Sequence, residues 1–582
     1  MQTTTQLFKF VHEFLNYKKA LILSLIATVV YGFLLSFQGF DLCDEGAALT
    51  VYQQIFKCPS SVEYQFVYYL GGVVGGLWNI LFGFGGILSF RVLTIIVLVF
   101  TIYFTSRSLK GFINPLMIPV ATSMGLLMNN FGIMVFFHDY LSALLTVVAV
   151  YFLLQGLKLN RPRYLFTAAL ICGINIFTRI PNIALLSLGV LLFIDYYYIK
   201  NIRLLGKNIL FCIAGLITGV GAIFLLMYLL GHERLFVHTV FSNLFFKGVS
   251  ADSPHNLHNL FHTYLNQYQQ IFIYLSVFVF ILAFFPYIYR YYKRKWQKGI
   301  VIIFYVFLII IFILFAFDPL KYYAIILFPI ILSFYIDRKN KSIILLNAAS
   351  LIVLFFQPLG SDVGVMNMGY FSVWLATFTS VAHVYRFIRF QMLKNNYSYR
   401  LFFVLFYILF CIYGLYVVSR NAYNDRGPRW EKLYRAHNDK FTVFTSKAKT
   451  EAMDVLLSEL GKYVHKDDYL LCYESLPMIH YLTETKPYMG NPWVWVYDSD
   501  NFILHLKNSE KTIPLPVVVR QKCQPSFGGN WTTLAPVIQR TDPLYKAFYN
   551  DKRNDAFDEF LERNRYTIIW ENELFQIYLP SK

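Results

Sequence analysis

Three carboxylates lie within five positions in the first polar segment of the chain. The segment Asp41-Leu-Cys-Asp44-Glu45-Gly46 follows the apolar residues 21–37. Carboxylates at a membrane edge are costly to desolvate, so a cluster of them needs a reason to be there. A carboxylate within hydrogen-bond reach of a hydroxyl can accept its proton, which makes the cluster a candidate for acid–base chemistry. The alternative is a solvated cap at the end of a membrane span.

Apolar helices must position this cluster. Of the 582 residues, 57% are hydrophobic, 19% aromatic and 14% charged, whereas a soluble domain is about 25% charged. The apolar residues fall into blocks close to the ~20 residues that cross a bilayer, so we predict a polytopic α-helical membrane protein with about 13 transmembrane helices. The predicted spans are residues 21–37, 92–104, 113–128, 141–157, 165–177, 180–197, 209–230, 271–289, 301–317, 322–335, 343–356, 371–384 and 401–418.

Lys and Arg residues in the short loops predict the orientation. With Lys18 and Lys19 in the cytoplasm, all the strongly basic loops fall on that side, and the alternate loops hold few cations. This pattern places loop one (residues 38–89) and the C-terminus outside the cytoplasm. The formal net charge of +18 then reflects loops at anionic lipid headgroups, and nucleic-acid binding is not needed to explain it.

The composition changes after the last predicted span and divides the chain in two. Residues 1–418 are expected to form a transmembrane module, and residues 419–582 a soluble α/β domain outside the cytoplasm. In that domain Ser446 is a predicted helix N-cap, and strands are expected at residues 469–473, 515–519, 566–570 and 574–578. Within loop one, residues 64–82 are apolar and rich in glycine, and we interpret them as an interfacial helix.

The order of these features resembles the GT-C glycosyltransferases. An acidic pair follows the first span, interfacial helices come next, and Phe82-Gly83 precedes Arg91 at the start of the second span. The similarity is greatest to the protein O-mannosyltransferase and lipid A aminoarabinose transferase group, and it covers most of residues 21–335. The resemblance implies a GT-C-like enzyme that moves a sugar from a polyprenyl-phosphate donor to a lipid, glycan or protein acceptor at the outer face.

The resemblance also implies roles for the acidic residues. Asp44 would be the catalytic carboxylate, with Glu45 beside it shaping the acceptor or metal site. Asp41 competes with Asp44 for the same role. Asp139, which follows His138 at the start of the fourth span, would assist from across the site, although an Asp there is also a routine N-cap. Asp44, Glu45 and Asp139 could together bind one divalent metal ion, and no other cofactor is expected.

Basic residues at the outer ends of spans would hold the donor phosphate. Lys321 and Arg179 are the expected ligands through charge-assisted hydrogen bonds, and Arg234 in the third outer loop could also touch the donor. Tyr322 and Tyr323 follow Lys321 and are expected in the substrate site. The alternative for the cations is that they extend to lipid headgroups without binding substrate.

Other outer residues leave both a functional and a structural interpretation open. Asp362, in a glycine-flanked turn, could bind sugar hydroxyls or simply complete the turn. Trp493 belongs to an aromatic cluster that could stack on a sugar or pack in a core. Disulfide bonds are possible outside the cytoplasm, and the candidate pairs are Cys43 with Cys58 and Cys472 with Cys523.

Two other function classes remain as alternatives. A transporter or lipid flippase would place ionisable groups near the middle of the membrane, often within internal repeats, whereas the acids here lie at the outer edge. A glycan polymerase or ligase would use the same donor but relies on outer-loop arginines. We expect the chain in a bacterial inner membrane, with its C-terminal domain in the periplasm.

Overall fold

The computed structural model describes residues 16–241, 257–314, 318–361, 363–393, 398–522 and 551–581. Up to residue 420 the described chain is almost entirely helical. These helices are α1 (Tyr17–Ser36), α2 (Asp44–Gln54), α3 (Tyr69–Phe82), α4 (Gly86–Ser108), α5 (Met117–Met128), α6 (His138–Leu159), α7 (Pro162–Asn175), α8 (Val190–Ile199), α9 (Ile202–Leu230), α10 (Glu233–Val237), α11 (Leu257–Tyr291), α12 (Lys295–Leu314), α13 (Pro319–Ile336), α14 (Lys341–Phe356), α15 (Val365–Ser372), α16 (Trp374–Leu393) and α17 (Ser398–Arg420).

Many of these helices are long and apolar enough to cross a bilayer, as expected for a multi-pass membrane protein. Within the described residues there are eight such helical runs, and α5 and α14 are shorter apolar helices. The predicted number of 13 spans is not confirmed, because 12 or 16 residues fall short of the ~20 that cross a bilayer unaided. The eight runs are Tyr17–Ser36, Pro59–Ser108, His138–Leu159, Ile180–Ile199, Ile202–Leu230, Leu260–Tyr291, Pro319–Ile336 and Tyr399–Arg420.

The glycine-rich part of loop one packs closely on α2. A 3₁₀ helix, Pro59–Tyr68, leads into α3. A Cβ atom on Gly75 would lie 2.2 Å from the Tyr52 ring, and one on Gly72 would lie 2.7 Å from Ile55. The glycines of α3 therefore allow two helices to approach, while Leu77, Ile80, Leu81 and Phe82 are exposed on the helix.

The C-terminal part contains a mixed five-stranded sheet. Its strand order is β4-β3-β5-β7-β6, with β3 parallel to β4 and β5, and β7 antiparallel to β5 and β6. The four predicted strands are present within two residues of their expected bounds. The elements are β1 (Asn421–Ala422), β2 (Asp425–Arg426), α18 (Lys447–Leu460), β3 (Tyr469–Tyr473), α19 (Pro477–Thr483), β4 (Lys486–Pro487), α20 (Ser499–Thr512), β5 (Val517–Gln521), α21 (Asp551–Arg563), β6 (Tyr566–Glu571) and β7 (Phe575–Pro580).

The C-terminal part, residues 419–582, which we call the outer domain after its predicted orientation, rests directly on loop one. The N–H of Met478, in α19, donates to the carbonyl of Leu42 at 3.0 Å, and the Thr50 hydroxyl of α2 donates to the carbonyl of Pro477 at 3.0 Å. Gly46 makes this approach possible, because a Cβ there would lie 2.2 Å from the backbone nitrogen of Met478. The end of β3 that leads into α19 is thereby placed beside the start of α2.

The predicted Cys43–Cys58 disulfide is absent. Both residues carry thiols, and they flank α2, whose 11 residues extend about 16 Å. A disulfide joins Cα atoms less than about 7 Å apart, so the intervening helix excludes the bond. Cys472 also carries a thiol, and its predicted partner Cys523 lies outside the described residues.

We predict that Gly46→Ala destabilises the contact between α2 and the outer domain. Overpacking against a backbone atom costs about 1–3 kcal/mol, so the melting temperature of the purified full chain should fall. The matched control is Gly221→Ala in α9, where no atom lies within 4 Å of the added Cβ and the helix favours alanine by about 1 kcal/mol. Equal melting temperatures for G46A and the unmodified protein would contradict the packing.

Candidate active site

Asp41 shapes the start of α2. Its Oδ1 accepts a hydrogen bond from the N–H of Cys43 at 2.9 Å, and its Oδ2 accepts one from the N–H of Glu45 at 2.8 Å. Such N–H groups have no partner within their own helix. Burial, reinforced by the charges of Asp44 and Glu45, raises the pKa of Asp41 well above its usual value. Because both oxygens are used within the loop, we assign Asp41 to positioning its neighbour Asp44.

Glu45 forms a buried ion pair with Arg91 of α4. The side chains are 0% and 2% exposed, and Arg91 Nη2 lies 2.8 Å from Glu45 Oε2. Glu45 Oε1 also accepts the N–H of Val135 at 2.8 Å. These contacts favour a structural role for Glu45 over the catalytic or metal-binding role that the resemblance implied. The Arg91 guanidinium also donates to three carbonyls between α1 and α2, those of Ser36, Gln38 and Gly39.

Asp44, the first residue of α2, is half-buried and contacts the outer domain. Strands β1 and β2 form a hairpin with Tyr423 and Asn424 at its tip. The Tyr423 hydroxyl donates to Asp44 Oδ2 at 2.5 Å. The Asn424 amide lies 3.3 Å from Asp44 Oδ2 and 3.3 Å from Asp41 Oδ1. Burial, with the Asp44 and Asp41 charges, raises the pKa of Tyr423, so the phenol stays protonated and keeps the carboxylate oriented.

The base of this hairpin is fixed by Asp425. Its Oδ2 accepts hydrogen bonds from the Phe40 N–H at 2.9 Å and the Thr445 hydroxyl at 2.7 Å. Its Oδ1 lies 2.7 Å from Lys449 Nζ and 3.4 Å from Lys432 Nζ. Burial alone would raise the pKa of Asp425, but the two lysines outweigh burial and lower it. The carboxylate therefore stays ionised and ties the hairpin to loop one.

A series of aromatic rings leads from Asp44 towards the start of α13. Tyr423 packs edge-on against Phe131 with centroids 4.9 Å apart, and Phe131 packs edge-on against Tyr370 at 5.2 Å. Tyr370 in turn lies close enough to Asp318 for the carboxylate charge to act on its phenol. Asp318 is the N-cap of α13 and accepts the N–H of Lys321 at 3.0 Å. The rings therefore connect the residue that orients Asp44 with the N-terminal end of α13.

Lys321 presents an ammonium group that is not tied to a protein acceptor. Its side chain is 9% exposed, and its Nζ lies 5.2 Å from the centroid of the Tyr274 ring. Among the described residues no carboxylate or carbonyl accepts a hydrogen bond from this amine. A cation held over an aromatic ring keeps its hydrogen-bonding capacity for a ligand.

Tyr322 and Tyr323 pack between helices. The Tyr322 hydroxyl lies 2.9 Å from the Thr377 hydroxyl of α16, and the Tyr323 hydroxyl lies 2.6 Å from that of Ser372 in α15. Both tyrosines are buried. Their hydroxyls therefore hold α13 in place, and these contacts favour helix packing over the predicted contact with substrate.

His138 and Asp139 open α6. The His138 ring stacks on Tyr68 with centroids 3.7 Å apart, and its Nε2 lies 3.3 Å from Asp139 Oδ1. Asp139 Oδ1 is buried and accepts no hydrogen bond in the described structure. His138 Nε2 is therefore the nitrogen that the structure places beside this carboxylate oxygen. No described hydrogen bond joins Asp139 to Asp44, and their arrangement across one site stays a prediction.

Arg179 and Arg234 differ in their surroundings. The buried Arg179 guanidinium donates to the carbonyls of Gln357 at 2.9 Å and Leu359 at 3.0 Å, which fixes the turn after α14. It also lies close enough to His138 for their charges to interact. Arg234, in the short α10, is exposed. Lys321 is therefore the predicted cation whose described surroundings best suit a phosphate.

Trp493 lies near α2 although it belongs to the outer domain. Its indole N–H donates to the Ser475 hydroxyl at 3.3 Å, and the Ser475 carbonyl accepts from the Cys43 thiol at 3.5 Å. The ring stacks on Trp495 with centroids 5.7 Å apart. An aromatic surface therefore sits beside the loop that carries Asp44. Asp362 lies outside the described residues.

The predicted metal ligands do not form a metal site. Glu45 forms an ion pair with Arg91, and Asp44 accepts a hydrogen bond from the Tyr423 hydroxyl. In the described ranges no three His, Cys, Asp or Glu side chains are arranged to hold an ion. A divalent cation would have to displace these partners, so the donor set does not fit a resident metal.

The sequence analysis assigns no function to two residues that the structure places in the site, Arg91 and Tyr423. Arg91 was visible as a charge inside an apolar helix, and such charges are usually paired or functional. Tyr423 had no local signal, because its contact with Asp44 joins residues 379 positions apart.

The solved structures that match this chain include two partial matches to membrane proteins. No protein-family model and no curated protein matches the chain. The oligosaccharyltransferase of Archaeoglobus fulgidus, solved with zinc and sulfate, aligns with a TM-score of 0.46 at 11% identity, over 86% of this chain and 68% of that one. ArnT from Cupriavidus metallidurans, bound to undecaprenyl phosphate, aligns with a TM-score of 0.45 at 11% identity, over 96% of this chain and 97% of that one. Likeness at this level does not assign an activity to this chain.

We predict that substitution of Glu45 lowers the stability of the protein, whereas substitution of Asp44 does not. Removing one partner of a buried ion pair costs about 3–5 kcal/mol, so Glu45→Gln should lower the melting temperature of the full chain clearly. Asp44→Asn keeps the shape of a half-buried side chain and should leave the melting temperature nearly unchanged. Scanning fluorimetry of both variants in one detergent makes the comparison, and equal melting of E45Q and the unmodified protein would show that the pair is dispensable.

Proposed function

We propose that this protein is a membrane glycosyltransferase that moves a sugar from a polyprenyl-phosphate donor to an acceptor at the outer face of the membrane. The proposal rests on two groups: a half-buried carboxylate, Asp44, which two donors orient, and a cation, Lys321, whose ammonium group keeps its hydrogen bonds for a ligand. A series of aromatic contacts connects the Asp44 loop with the start of the helix that carries Lys321. Transfer from a lipid phosphate needs a base for the acceptor hydroxyl and a cation for the departing phosphate.

The donor would bind with its phosphate at Lys321. An ammonium group binds phosphate as a point charge. The lipid chain would run along exposed apolar helix surfaces. Asp139, Arg179 and Arg234 remain secondary candidates for donor contacts, since Asp139 and Arg179 both lie close to His138.

The transfer step would use Asp44 as general base. The acceptor oxygen attacks the anomeric carbon while its proton passes to Asp44, and the bond between that carbon and the phosphate oxygen breaks. The electron pair leaves with the phosphate, where Lys321 stabilises the charge. The products are the glycosylated acceptor and polyprenyl phosphate. The Tyr423 hydroxyl and the Asn424 amide keep the carboxylate aimed at the acceptor.

The two parts of the chain would have separate tasks. Residues 1–418 would bind the donor and carry Asp44, whereas residues 419–582 would bring Trp493 and the hairpin tip to the acceptor side. The acceptor would be a lipid, glycan or protein that reaches the site from the periplasm, and the chain would reside in a bacterial inner membrane.

We predict that Asp44→Asn abolishes turnover without abolishing donor binding. The purified variant in nanodiscs should bind a polyprenyl-phosphate sugar with near-normal affinity and release less than about 1% of the normal polyprenyl phosphate, since general-base catalysis contributes 10²–10⁴-fold. Mass spectrometry of the released lipid measures the step. Turnover of D44N at the normal rate would show that Asp44 is not the base.

We predict that Lys321→Gln weakens donor binding. Loss of a charge-assisted hydrogen bond to phosphate should raise the dissociation constant by roughly tenfold or more. Lys462→Gln, an exposed lysine of the outer domain, is the matched control and should bind normally. Normal donor affinity in K321Q would contradict the assignment of the phosphate position.

A flippase is the alternative function, and these measurements must distinguish it from a glycosyltransferase. A flippase would move the intact donor across a vesicle bilayer in the absence of acceptor, and D44N would leave that movement intact without any release of sugar. The observed acids lie at the start of α2 and α6, where a transferase would expose them to an outer acceptor.

A further inference from the structure

A cavity of about 220 Å³ lies where loop one meets the outer domain. We call it the junction pocket. Its walls come from the 3₁₀ helix Pro59–Tyr68, from His238 after α10, from the turn that follows β4 and from α20. It is separate from the Asp44 region but is lined by the same loop.

Glu63 faces this cavity with a carboxylate that lacks donors. The side chain is 19% exposed, and His505 Nδ1 lies 3.9 Å from its Oε1, which is beyond hydrogen-bond distance. His238, which also lines the cavity, is close enough for its charge to act on the carboxylate. In the described structure no N–H or O–H group donates to this carboxylate. A carboxylate can only accept hydrogen bonds. A half-buried carboxylate that no group donates to therefore keeps its capacity to accept hydrogen bonds from a ligand. A ligand that fits here must supply hydrogen-bond donors.

The turn at Gly490 keeps this arrangement in place. The Gly490 carbonyl accepts the N–H of Tyr64 at 3.1 Å, which joins the turn to the 3₁₀ helix. Gly490 has φ +71°, and a Cβ there would lie 3.1 Å from Glu63 Cγ and 3.2 Å from Oε1. A side chain at this position would crowd the carboxylate, so glycine leaves room for it.

The other lining groups select the class of ligand. Hydroxyl and amide groups surround Glu63, and the rings of Tyr469 and Tyr488 form part of the wall. The lining residues that the structure describes include no lysine or arginine, which disfavours a phosphate. The absence of a three-ligand cluster among the described residues disfavours a metal ion. Hydroxyl donors, amide contacts and an aromatic wall together suit a sugar residue. The residues with hydroxyl or amide side chains are Ser60, Ser61, Asn508, Ser509 and Thr512, and two histidines, His238 and His505, also line the cavity.

A line of contacts leads from the junction pocket towards Asp44. Next to Gly490, the Asn491 side chain lies 3.4 Å from the Gln65 amide and accepts the backbone N–H of Trp493. The amide nitrogen of Asn491 is buried without an acceptor. Trp493 then reaches Ser475, which contacts Cys43 beside the catalytic position. These contacts join the wall of the junction pocket to the loop that carries Asp44.

We propose that the acceptor is a glycan, and that the junction pocket binds one of its sugar residues through Glu63 and Asn508 while another residue of the same glycan reaches Asp44. The role as an acceptor site rests on the proposed function, whereas the binding of sugar by the pocket does not. The site would select a glycan acceptor over a lipid or a protein side chain.

Saturation-transfer NMR on the full chain in detergent tests the pocket, with N,N′-diacetylchitobiose, cellobiose and α-1,2-mannobiose as probes. At least one of these disaccharides should receive saturation. The signal should fall by roughly tenfold in Glu63→Gln and in Asn508→Ala, since hydrogen bonds to a charged group contribute 1.5–3 kcal/mol. The exposed Glu451→Gln is the matched control and should retain the signal, as should Asp44→Asn.

The outcomes separate this inference from the proposed function. If no disaccharide receives saturation, or if both pocket variants keep the full signal, the pocket is not a sugar site, whatever the activity of the enzyme. If D44N turns over normally while the pocket variants lose binding, the pocket stands and the catalytic assignment falls. Asn508 is exposed, so N508A keeps the test valid if E63Q does not fold.

Discussion

The ion pair between Glu45 and Arg91 is the contact on which the candidate site depends. Both charges are removed from water, and a buried pair is stable only when its geometry and additional hydrogen bonds compensate for that loss. Here the guanidinium also binds three carbonyls that follow α1, and the carboxylate binds the N–H of Val135. The pair therefore fixes the direction in which the chain leaves the first helix and the position at which α2 begins. Asp44 precedes Glu45 and has its position set by the same contacts.

The outer domain completes the site. Asp425, with two lysines, ties the hairpin to Phe40. Arg429, which follows the hairpin, donates hydrogen bonds to four backbone carbonyls. These are the carbonyls of Leu35, Gln38, Phe131 and Val418. Burial, together with the charge of Arg91, lowers the pKa of Arg429 to about 10, so it remains charged at neutral pH. A carboxylate from one end of the chain thus obtains its hydrogen-bond donors from the other end, and the membrane part alone would leave Asp44 differently oriented.

Local patterns predicted the elements, but not the contacts between distant parts of the chain. Strand β3 and the span-like helices follow from runs of apolar and aromatic residues, a pattern that depends only on near neighbours. The clustering of Asp41, Asp44 and Glu45 is also visible in the sequence, yet their different roles are not, since these arise from Arg91, Tyr423 and backbone N–H groups brought together by folding. The same limit applies to Tyr322 and Tyr323, whose partners lie in other helices. For Cys43 and Cys58, proximity in sequence suggested a bond that the rigid length of α2 prevents.

The central claim is that Asp44 and Lys321 act on one donor molecule. A cryo-EM structure of the full chain with a non-hydrolysable polyprenyl-phosphonate sugar tests it most directly. The account predicts a phosphonate oxygen within about 3.5 Å of Lys321 Nζ and the anomeric carbon on the side of the sugar that faces Asp44. A phosphonate bound at the opposite ends of the helices, near Lys341 and Arg386, with Asp44 out of reach of the sugar, would contradict it.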